Sequence, residues 1–547
     1  MLNYLQDARE RRKQGDTPCI SQGFAVLSHL RPHWPVISAM LLALGVRLLA
    51  GPRLIDDAYI TFRYARNLLD GLGFVYNAGQ RVQGTTTPLY TLLMAGLAGV
   101  LGTRNFPTLA WVVNALADAL AVAVFYRLGR ELSGQRGLAL TLGVLWALSP
   151  MSVTFSIGGM ETSLYILLLL LALDSYVRRR TMQSALWCGL ALLTRPDAAL
   201  VVIPLFAHMA WSKVKVRKLG SWRAGKLEGW KNVVPWHEII LLAGVLAPWT
   251  IFATLYFGSP LAHSIVAKSA AYRVSPYSAF VRLWQHYSTP FFEHLVFGTR
   301  WWPAVGLILH TTLYVAGGQQ MVRRNSRAWP LVLFPPLYFA AFSLANPLIF
   351  RWYLAPPLPM YFLGILVGGW RLVRIVNCEL RIGDWGQRGI GVGLVLVLVA
   401  LELNAYTLHP DHGLERPAPQ MAWYKLELLY REVAQALEGE VTPQTTLAAG
   451  DIGVLGYYTG ARILDCVGLV SPEALAYYPA DESIYVINYA IAPDLILDHR
   501  PEWVVTLEVY ARRGLLRSPR FLAEYRLWRS WPTDIYGSKA MLVFHRR

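Results

Sequence analysis

The sequence predicts a polytopic α-helical membrane protein with a C-terminal external α/β domain. Of its 547 residues, 54% are hydrophobic and 16% are charged, and the mean hydropathy is +0.35. A water-soluble globule could not bury so much apolar surface. Long apolar runs alternate with short basic links, and the composition becomes polar and turn-rich from about residue 408. These observations predict a transmembrane domain over 1–407 and a soluble domain over 408–547.

The formal net charge of +17 could suggest a nucleic-acid partner, but the distribution of the charge argues against one. Lys and Arg cluster in the short links between apolar runs, where they orient helices in a lipid bilayer. The four cysteines, Cys19, Cys188, Cys378 and Cys466, lack metal-like spacing and indicate neither a disulfide framework nor a zinc site. We therefore predict no metal and no cofactor.

Residues 1–30 are polar and basic and lack a cleavage signal, so they predict a cytoplasmic tail. The first span covers roughly 34–52, and its lone Arg47 is expected to extend into the lipid headgroups. With the first, the apolar runs predict about eleven spans. The others lie near 107–125, 137–155, 162–177, 184–193, 198–211, 239–257, 302–315, 329–344, 353–370 and 390–405. The basic links put the N-terminus in the cytoplasm and the C-terminal domain on the external or periplasmic face of the cell membrane.

The first external loop, over 53–106, is predicted to carry two helices on the bilayer surface. The first covers about 57–69, where apolar residues recur on one stripe before the stop signal Gly71. Alternation and turn residues predict a hairpin over 73–82. Thr87 and Pro88 then start the second helix, which ends near residue 101.

The C-terminal domain is predicted to begin with a helix over 421–437. Strands are predicted over 503–507 and 540–544. The segment 449–465 has turn glycines between apolar residues, which favours a strand-turn-strand scaffold; otherwise Asp451 is the best candidate for contact with an acceptor.

Asp56 and Asp57 follow the first span directly, at a membrane edge. Carboxylates at this position could simply cap the following helix, because they suit its free N–H groups and its dipole. The other interpretation is a functional pair at the mouth of a membrane cavity, where partial burial and the neighbouring like charge should raise a carboxyl pKa.

The string Asp56-Asp-Ala-Tyr-Ile-Thr-Phe-Arg-Tyr64 is followed by Asn77-Ala-Gly-Gln-Arg-Val-Gln-Gly-Thr-Thr-Thr-Pro-Leu-Tyr90. Together they resemble the first external loop of the GT-C glycosyltransferases, in the bacterial branch that includes mycobacterial terminal arabinofuranosyltransferases. These membrane enzymes take sugars from polyprenyl-phosphate donors. The resemblance implies that Asp56 or Asp57 is the catalytic base of an inverting transfer. It also implies a pentose or hexose donor sugar, such as arabinofuranose, and a cell-envelope glycan, lipid or protein acceptor.

Cations that could bind the departing phosphate lie in predicted external loops. One loop, over 258–273, is similar to a family segment that ends in Ala-Lys, and Lys268 in it is our first choice. Residues 350–357 resemble an Arg-Tyr-Leu-x-Pro string of the family. For each cation the alternative is a lipid-headgroup anchor. The candidates are Lys268, Arg351, His263, Arg63 and Arg273.

Four further polar residues have both functional and structural interpretations. Glu161 lies in Gly158-Gly-Met-Glu-Thr162, which resembles a Gly-x-Glu-Thr string of the family and predicts a substrate contact, but Glu161 could also cap the next helix. Arg195 and Asp197 flank Pro196 at an external break, and we expect them to pair with each other in preference to a substrate role. Asp118, within an apolar run, is expected to form a hydrogen bond between helices.

The main rival to a transferase is a transporter or flippase of lipid-linked sugars. The candidate charges concentrate at one external surface instead of the bilayer midplane, and no pair of broken helices occurs in matching halves, which argues against it. A sugar-binding membrane receptor is a third possibility. We expect a polyprenyl-phosphate-linked sugar, an envelope acceptor and the bilayer as partners.

Overall fold

The computed structural model describes residues 33–224, 234–291, 302–379, 384–408 and 422–547. The described part has a bundle of helices joined to one mixed β-sheet domain near the C-terminus. The predicted tail over 1–30 lies outside the described residues.

The helices before the sheet domain are numbered in chain order. They are α1 (Trp34–Ala50), α2 (Asp56–Leu69), α3 (Pro88–Leu101), α4 (Phe106–Ser133), α5 (Arg136–Leu148), α6 (Pro150–Ile157), α7 (Thr162–Val177), α8 (Thr181–Thr194), α9 (Ala199–Ala224), α10 (Trp236–Phe257), α11 (His263–Ala271), α12 (Ser278–Ser288), α13 (Trp302–Arg324), α14 (Trp329–Ala345), α15 (Leu358–Glu379) and α16 (Asp384–Leu408).

Among the described residues, five helical stretches are long and apolar enough to cross a bilayer. They are Phe106–Ser133, Pro196–Val214, Trp236–Phe257, Ser326–Ala345 and Leu358–Val376. Helices α5 and α6 together form a sixth candidate, bent by 48°. The helical membrane-protein class is therefore supported, whereas the count of about eleven spans is not confirmed.

Helices α13 and α15 approach each other so closely that glycine is required at the contact. A Cβ atom at Gly317 would lie 2.0 Å from the carbonyl oxygen of Gly364, and one at Gly368 would lie 1.9 Å from that of Leu313. Small residues at such crossings let helix backbones pack directly against each other.

Arg47 does not extend into the headgroups, so that prediction is wrong. It is fully buried in the bundle, where its Nε pairs with Asp118 Oδ2 at 2.8 Å. Its Nη2 donates to Ser152 Oγ at 2.6 Å, and Ser163 Oγ donates to Asp118 Oδ2 at 3.2 Å. Both charges can be buried because each neutralises the other. The contact joins α1 to α4, so the expected hydrogen bond of Asp118 between helices is confirmed.

The C-terminal domain is built on a five-stranded sheet in the order β2-β1-β3-β5-β4. Strands β2, β1 and β3 are parallel, whereas β5 runs antiparallel to both β3 and β4. The strands are β1 (Thr446–Ala449), β2 (Arg462–Asp465), β3 (Trp503–Leu507), β4 (Tyr525–Pro532) and β5 (Ala540–Arg546). The helices of this domain are α17 (Ala422–Ala436), α18 (Gly453–Thr459), α19 (Pro493–His499), α20 (Glu508–Ala511) and α21 (Pro519–Glu524).

The predicted C-terminal helix and the two predicted strands are present, but two local predictions are wrong. The segment 449–465 contains α18 between its strands and is not a simple strand-turn-strand unit. Residues 73–82 form turns and no hairpin. The side chain of Asn77 instead pairs with β2, donating to the Ile463 carbonyl at 2.8 Å and accepting from its N–H at 3.0 Å.

Helix α2 packs against the sheet domain and shares its apolar core. Tyr59 and Phe62 are buried beside Tyr457 of α18, with ring centroids 5.3 Å and 6.4 Å away. The Tyr59 hydroxyl donates to Glu427 of α17 at 2.6 Å. The sheet domain is therefore held directly against the helix that carries Asp56 and Asp57.

Candidate functional site

A cavity of about 700 Å³ opens beside the N-terminal end of α2. We call it the site cavity and define it by its five charged lining residues: Asp57, Glu161, Arg195, Asp197 and Lys268. Its volume is in the range of small-molecule sites.

Asp57 and Lys268 form an ion pair in the lining of the site cavity. Lys268 Nζ lies 3.7 Å from Asp57 Oδ2, and the two side chains are 29% and 30% exposed. The ammonium also lies 5.1 Å from the ring centroid of Phe350. Burial lowers the pKa of Lys268, but Tyr353 and Asp57 raise it more, so the net shift is upward and the group stays cationic.

Asp56 faces the sheet domain instead of the site cavity. Its Oδ2 accepts from the N–H of Gly453 and its Oδ1 from that of Val454, both at 2.8 Å. Burial, and then the nearby carboxyl of Asp451, raise the pKa of Asp56. The carboxylate thus caps α18, a helix of another domain, instead of capping its own helix.

Arg195 is the second cation of the site cavity, and two carboxylates hold it in place. It bonds Asp197 through Nε at 2.9 Å and through Nη2 at 3.2 Å, and its Nη1 bonds Glu161 Oε1 at 3.2 Å. Its guanidinium lies 4.7 Å from the ring centroid of Tyr353. The expected Arg195–Asp197 pair is confirmed, and the side chain of Glu161 pairs with Arg195 without forming a cap bond.

Threonine hydroxyls form a polar wall of the site cavity. Thr85 Oγ1 lies 3.0 Å from Thr87 Oγ1, which lies 3.4 Å from Thr61 Oγ1. These hydroxyls can exchange hydrogen bonds with a polar ligand such as a sugar. Trp352 and Tyr353 add aromatic surface.

Four of the predicted phosphate ligands are absent from the lining of the site cavity. Arg63 is buried against the sheet domain, where it donates to the carbonyls of Tyr76 and Ala461. Arg273 pairs with Glu482 at 2.7 Å. The backbone N–H of His263 donates to Gln83, and burial lowers the pKa of its imidazole. Arg351 adjoins the lining residue Trp352 but is not itself part of the lining.

Asp451 lies beside the acidic pair and accepts a hydrogen bond from Tyr430 at 3.0 Å, without lining the site cavity. Burial is the largest cause of the shift that raises the pKa of Asp451 to about 6. The hydrogen bond from Tyr430 opposes this shift, and the negative charge of Asp57 adds to it.

This shift predicts a pH dependence of stability. Between pH 4 and 6 the folded protein holds the Asp451 proton more tightly than the unfolded chain, so the free energy of unfolding should fall as the pH rises through about this range. Asp451→Asn does not titrate, so its thermal midpoint should fall less between pH 4.5 and pH 6.5. Tryptophan fluorescence of the purified protein measures this. Exposed Asp498→Asn is the control, and identical profiles for wild type and Asp451→Asn would contradict the prediction.

Sequence reasoning favoured the Arg195–Asp197 pair over a substrate role for Arg195, and it did not single out the threonine wall. The sequence did contain a signal for Arg195, because the segment Thr194-Arg-Pro-Asp197 separates helices α8 and α9 beside the site cavity. The threonines were part of the family-like string 77–90 without an assigned role.

Two solved structures share the architecture over nearly the whole chain. ArnT from Cupriavidus metallidurans, bound to undecaprenyl phosphate, has a TM-score of 0.51 at 14% identity and covers 95% of this chain and 98% of its own. The Archaeoglobus fulgidus oligosaccharyltransferase, tethered to an acceptor peptide, has a TM-score of 0.52 at 12% identity, with 95% and 75% covered. The chain has the GT-C fold.

Sequence comparison confirms the predicted resemblance of this chain to arabinofuranosyltransferases. The terminal beta-(1->2)-arabinofuranosyltransferase of Corynebacterium glutamicum is 27% identical over an alignment of 282 positions, which covers 44% of this chain and 37% of the relative. The Mycobacterium tuberculosis enzyme of the same name is 28% identical over 232 residues, 40% and 35% of the two chains. The aligned region thus spans little more than a third of either relative. A family model described as "Domain of unknown function (DUF8728)" matches residues 420–544.

Proposed function

We propose that the protein is a membrane glycosyltransferase that moves a sugar from a polyprenyl-phosphate donor to an acceptor on the external face. One observation carries the proposal: a carboxylate and an ammonium, Asp57 and Lys268, face each other in a cavity with a polar wall. The GT-C fold and the relatives named above support this chemistry. Arabinofuranose is the sugar that the sequence resemblance favours, and a cell-envelope glycan is the corresponding acceptor.

Asp57 acts in this proposal as the general base. Its carboxylate takes the proton of the acceptor hydroxyl while the acceptor oxygen attacks the anomeric carbon. The bond from that carbon to the donor phosphate oxygen breaks, and polyprenyl phosphate leaves with the electron pair. Asp57 is favoured over Asp56 because both oxygens of Asp56 already accept backbone hydrogen bonds in the sheet domain.

Lys268 binds the departing phosphate, whose negative charge grows as the glycosidic bond breaks. A cation already held at this place stabilises the transition state more than the bound donor. Arg195 lies in the same cavity, but two carboxylates already neutralise it. We therefore assign Arg195 to orienting the donor, and Lys268 to stabilising its charge.

The experiment for the activity uses purified full-length protein with a panel of polyprenyl-phosphate sugars and a glycan acceptor. Release of free polyprenyl phosphate together with a glycosylated acceptor is the expected result. Movement of an intact lipid-linked sugar across a vesicle membrane, without bond cleavage, would instead identify the flippase that remains the alternative.

Lys268→Ala should lower kcat by at least about tenfold, which corresponds to about 1.4 kcal/mol of lost transition-state stabilisation. The change in donor affinity should be smaller, because the charge that Lys268 meets is largest in the transition state. Steady-state kinetics at saturating donor measure both quantities.

Arg273→Ala is the matched control for Lys268→Ala, since it removes a cation near α11 that pairs with Glu482 outside the site cavity. Its kcat should stay close to that of the wild type. Arg351→Ala tests the other predicted ligand. An unchanged kcat in Lys268→Ala beside a large loss in Arg351→Ala would transfer the phosphate role to Arg351.

A further inference from the structure

A second cavity, of about 790 Å³, lies at the other end of the helix bundle. We call it the arginine cavity and define it by Arg127, Arg130, Arg136, Arg178 and Arg324. Helices α4 and α5 and the end of α13 contribute to it, together with Arg178 at the end of α7. It does not overlap the site cavity, and the proposed transfer reaction does not use it.

The length of α4 places the two cavities at opposite sides of the bundle. Phe106 begins α4 and stacks on Phe62 of α2 at 6.0 Å, close to the sheet domain. Arg130 comes 24 residues later in the same continuous helix. At 1.5 Å per residue this is roughly 36 Å, somewhat more than the ~30 Å hydrocarbon core of a bilayer. The arginine cavity therefore lies at the membrane surface opposite to the sheet domain.

The arginine cavity has an excess of positive charge, because its lining contains five arginines and one carboxylate, Glu131. Asp174 is 2% exposed and neutralises part of the cluster by pairing with Arg127 Nη2 at 2.6 Å and Arg178 Nε at 3.2 Å. Arg130 and Arg136 are exposed, and within the described residues no ion pair or hydrogen bond engages their guanidinium groups. Two arginines therefore remain available to an anionic ligand.

The backbone and the wall of the arginine cavity also suit such a ligand. Arg136 is the first residue of α5, so the free N–H groups and the positive dipole of that helix lie beside the cluster. The wall includes Val36 and Ile37 from the start of α1 and Ala123 from within α4. A phosphate group with an apolar chain attached can contact both parts, whereas free phosphate leaves the apolar wall unused.

We propose that the arginine cavity binds the phosphate headgroup of an anionic membrane lipid, with its acyl chains along α1 and α4. The bound lipid occupies a site separate from that of the sugar donor, because the two cavities share no lining residue. Such a site anchors the end of the bundle remote from the sheet domain. The proposal needs only the membrane-spanning fold and is independent of the proposed transferase activity.

The test measures lipid binding to the purified full-length protein by native mass spectrometry, with phosphatidylglycerol and phosphatidylcholine as probes. Each arginine near a membrane surface contributes about fivefold to the affinity for an anionic lipid. The double variant that combines Arg130→Gln and Arg136→Gln should therefore bind phosphatidylglycerol about 25-fold more weakly. Phosphatidylcholine binding to the wild type should be weaker than that of phosphatidylglycerol and should change little in the variant.

The matched control is Arg517→Gln with Arg520→Gln, which removes two exposed arginines from the sheet domain. It should keep wild-type lipid affinity.

Inorganic phosphate distinguishes the two sources of the anion: displacement of phosphatidylglycerol by millimolar phosphate would overturn the lipid assignment. Equal binding of the two lipids, or equal lipid affinity of the two double variants, would also overturn it. If the first variant does not fold, Arg130→Gln alone, expected to lose about fivefold, serves as the test.

Discussion

Asp57→Asn is expected to lower kcat for sugar transfer by about 10²–10⁴-fold, the usual contribution of a general base. The amide keeps the size of the side chain but cannot take the acceptor proton. Donor binding should persist, because Lys268 and Arg195 remain in the site cavity. Single-turnover transfer assays, combined with donor-binding measurements, separate the two effects.

Asp70→Asn is the matched control, because it places the same substitution beside the other end of α2. Asp70 is 42% exposed and pairs with Arg104 at 3.2 Å, away from the site cavity. We expect it to retain wild-type kcat. Near-normal turnover in Asp57→Asn would place the base elsewhere.

The second large effect is expected from Gly453→Ala at the first residue of α18. A Cβ atom at this position would lie 1.8 Å from the backbone oxygen of Asp56 and 2.9 Å from its Oδ2. Because the closer contact is with the backbone of Asp56, a rotamer change cannot relieve it, so α18 must move away from α2 and lose both hydrogen bonds to Asp56. Overpacking of this kind costs about 1–3 kcal/mol, and the loss of the two hydrogen bonds to the Asp56 carboxyl group adds to that.

Hydrogen exchange of α18 and thermal unfolding of the purified protein measure this cost. Gly96→Ala is the control, since Gly96 lies inside α3 and a Cβ there meets no atom within 4 Å. It should be neutral or slightly stabilising, because alanine favours helix more than glycine. Unchanged exchange in Gly453→Ala would show that the sheet domain does not depend on the Asp56 contact.

The pair Asp56 and Asp57 shows how far the sequence could lead at the candidate site. Two adjacent carboxylates after an apolar run, followed by a family-like string, predicted a functional pair at the mouth of a cavity, and Asp57 lines the site cavity. The sequence could not separate their roles, because the residue that binds Asp56 is 397 positions away. Adjacent residues of a helix point in directions about 100° apart, so one faces the sheet domain and the other the site cavity.

Arg47 and the segment 73–82 illustrate errors with the same origin. An arginine near the end of an apolar helix usually reaches the headgroups, but here Asp118, 71 residues away, compensates its burial. The turn-rich segment has local hairpin features, yet its Asn77 binds the edge of β2 in the distant sheet domain. In both cases a long-range polar contact outweighed a correct local preference.

The sequence by itself determined the membrane class, the polar C-terminal domain with its helix and strands, and the acidic pair. Each of these follows from local composition and periodicity, which reflect the solvent around each segment and the backbone geometry. Only the tertiary structure decided that Lys268 and Arg195 share a cavity with Asp57, whereas Arg63 and Arg273 are engaged by the sheet domain. Charged side chains look alike in a sequence, and their roles depend on which distant partners neutralise them when the chain packs.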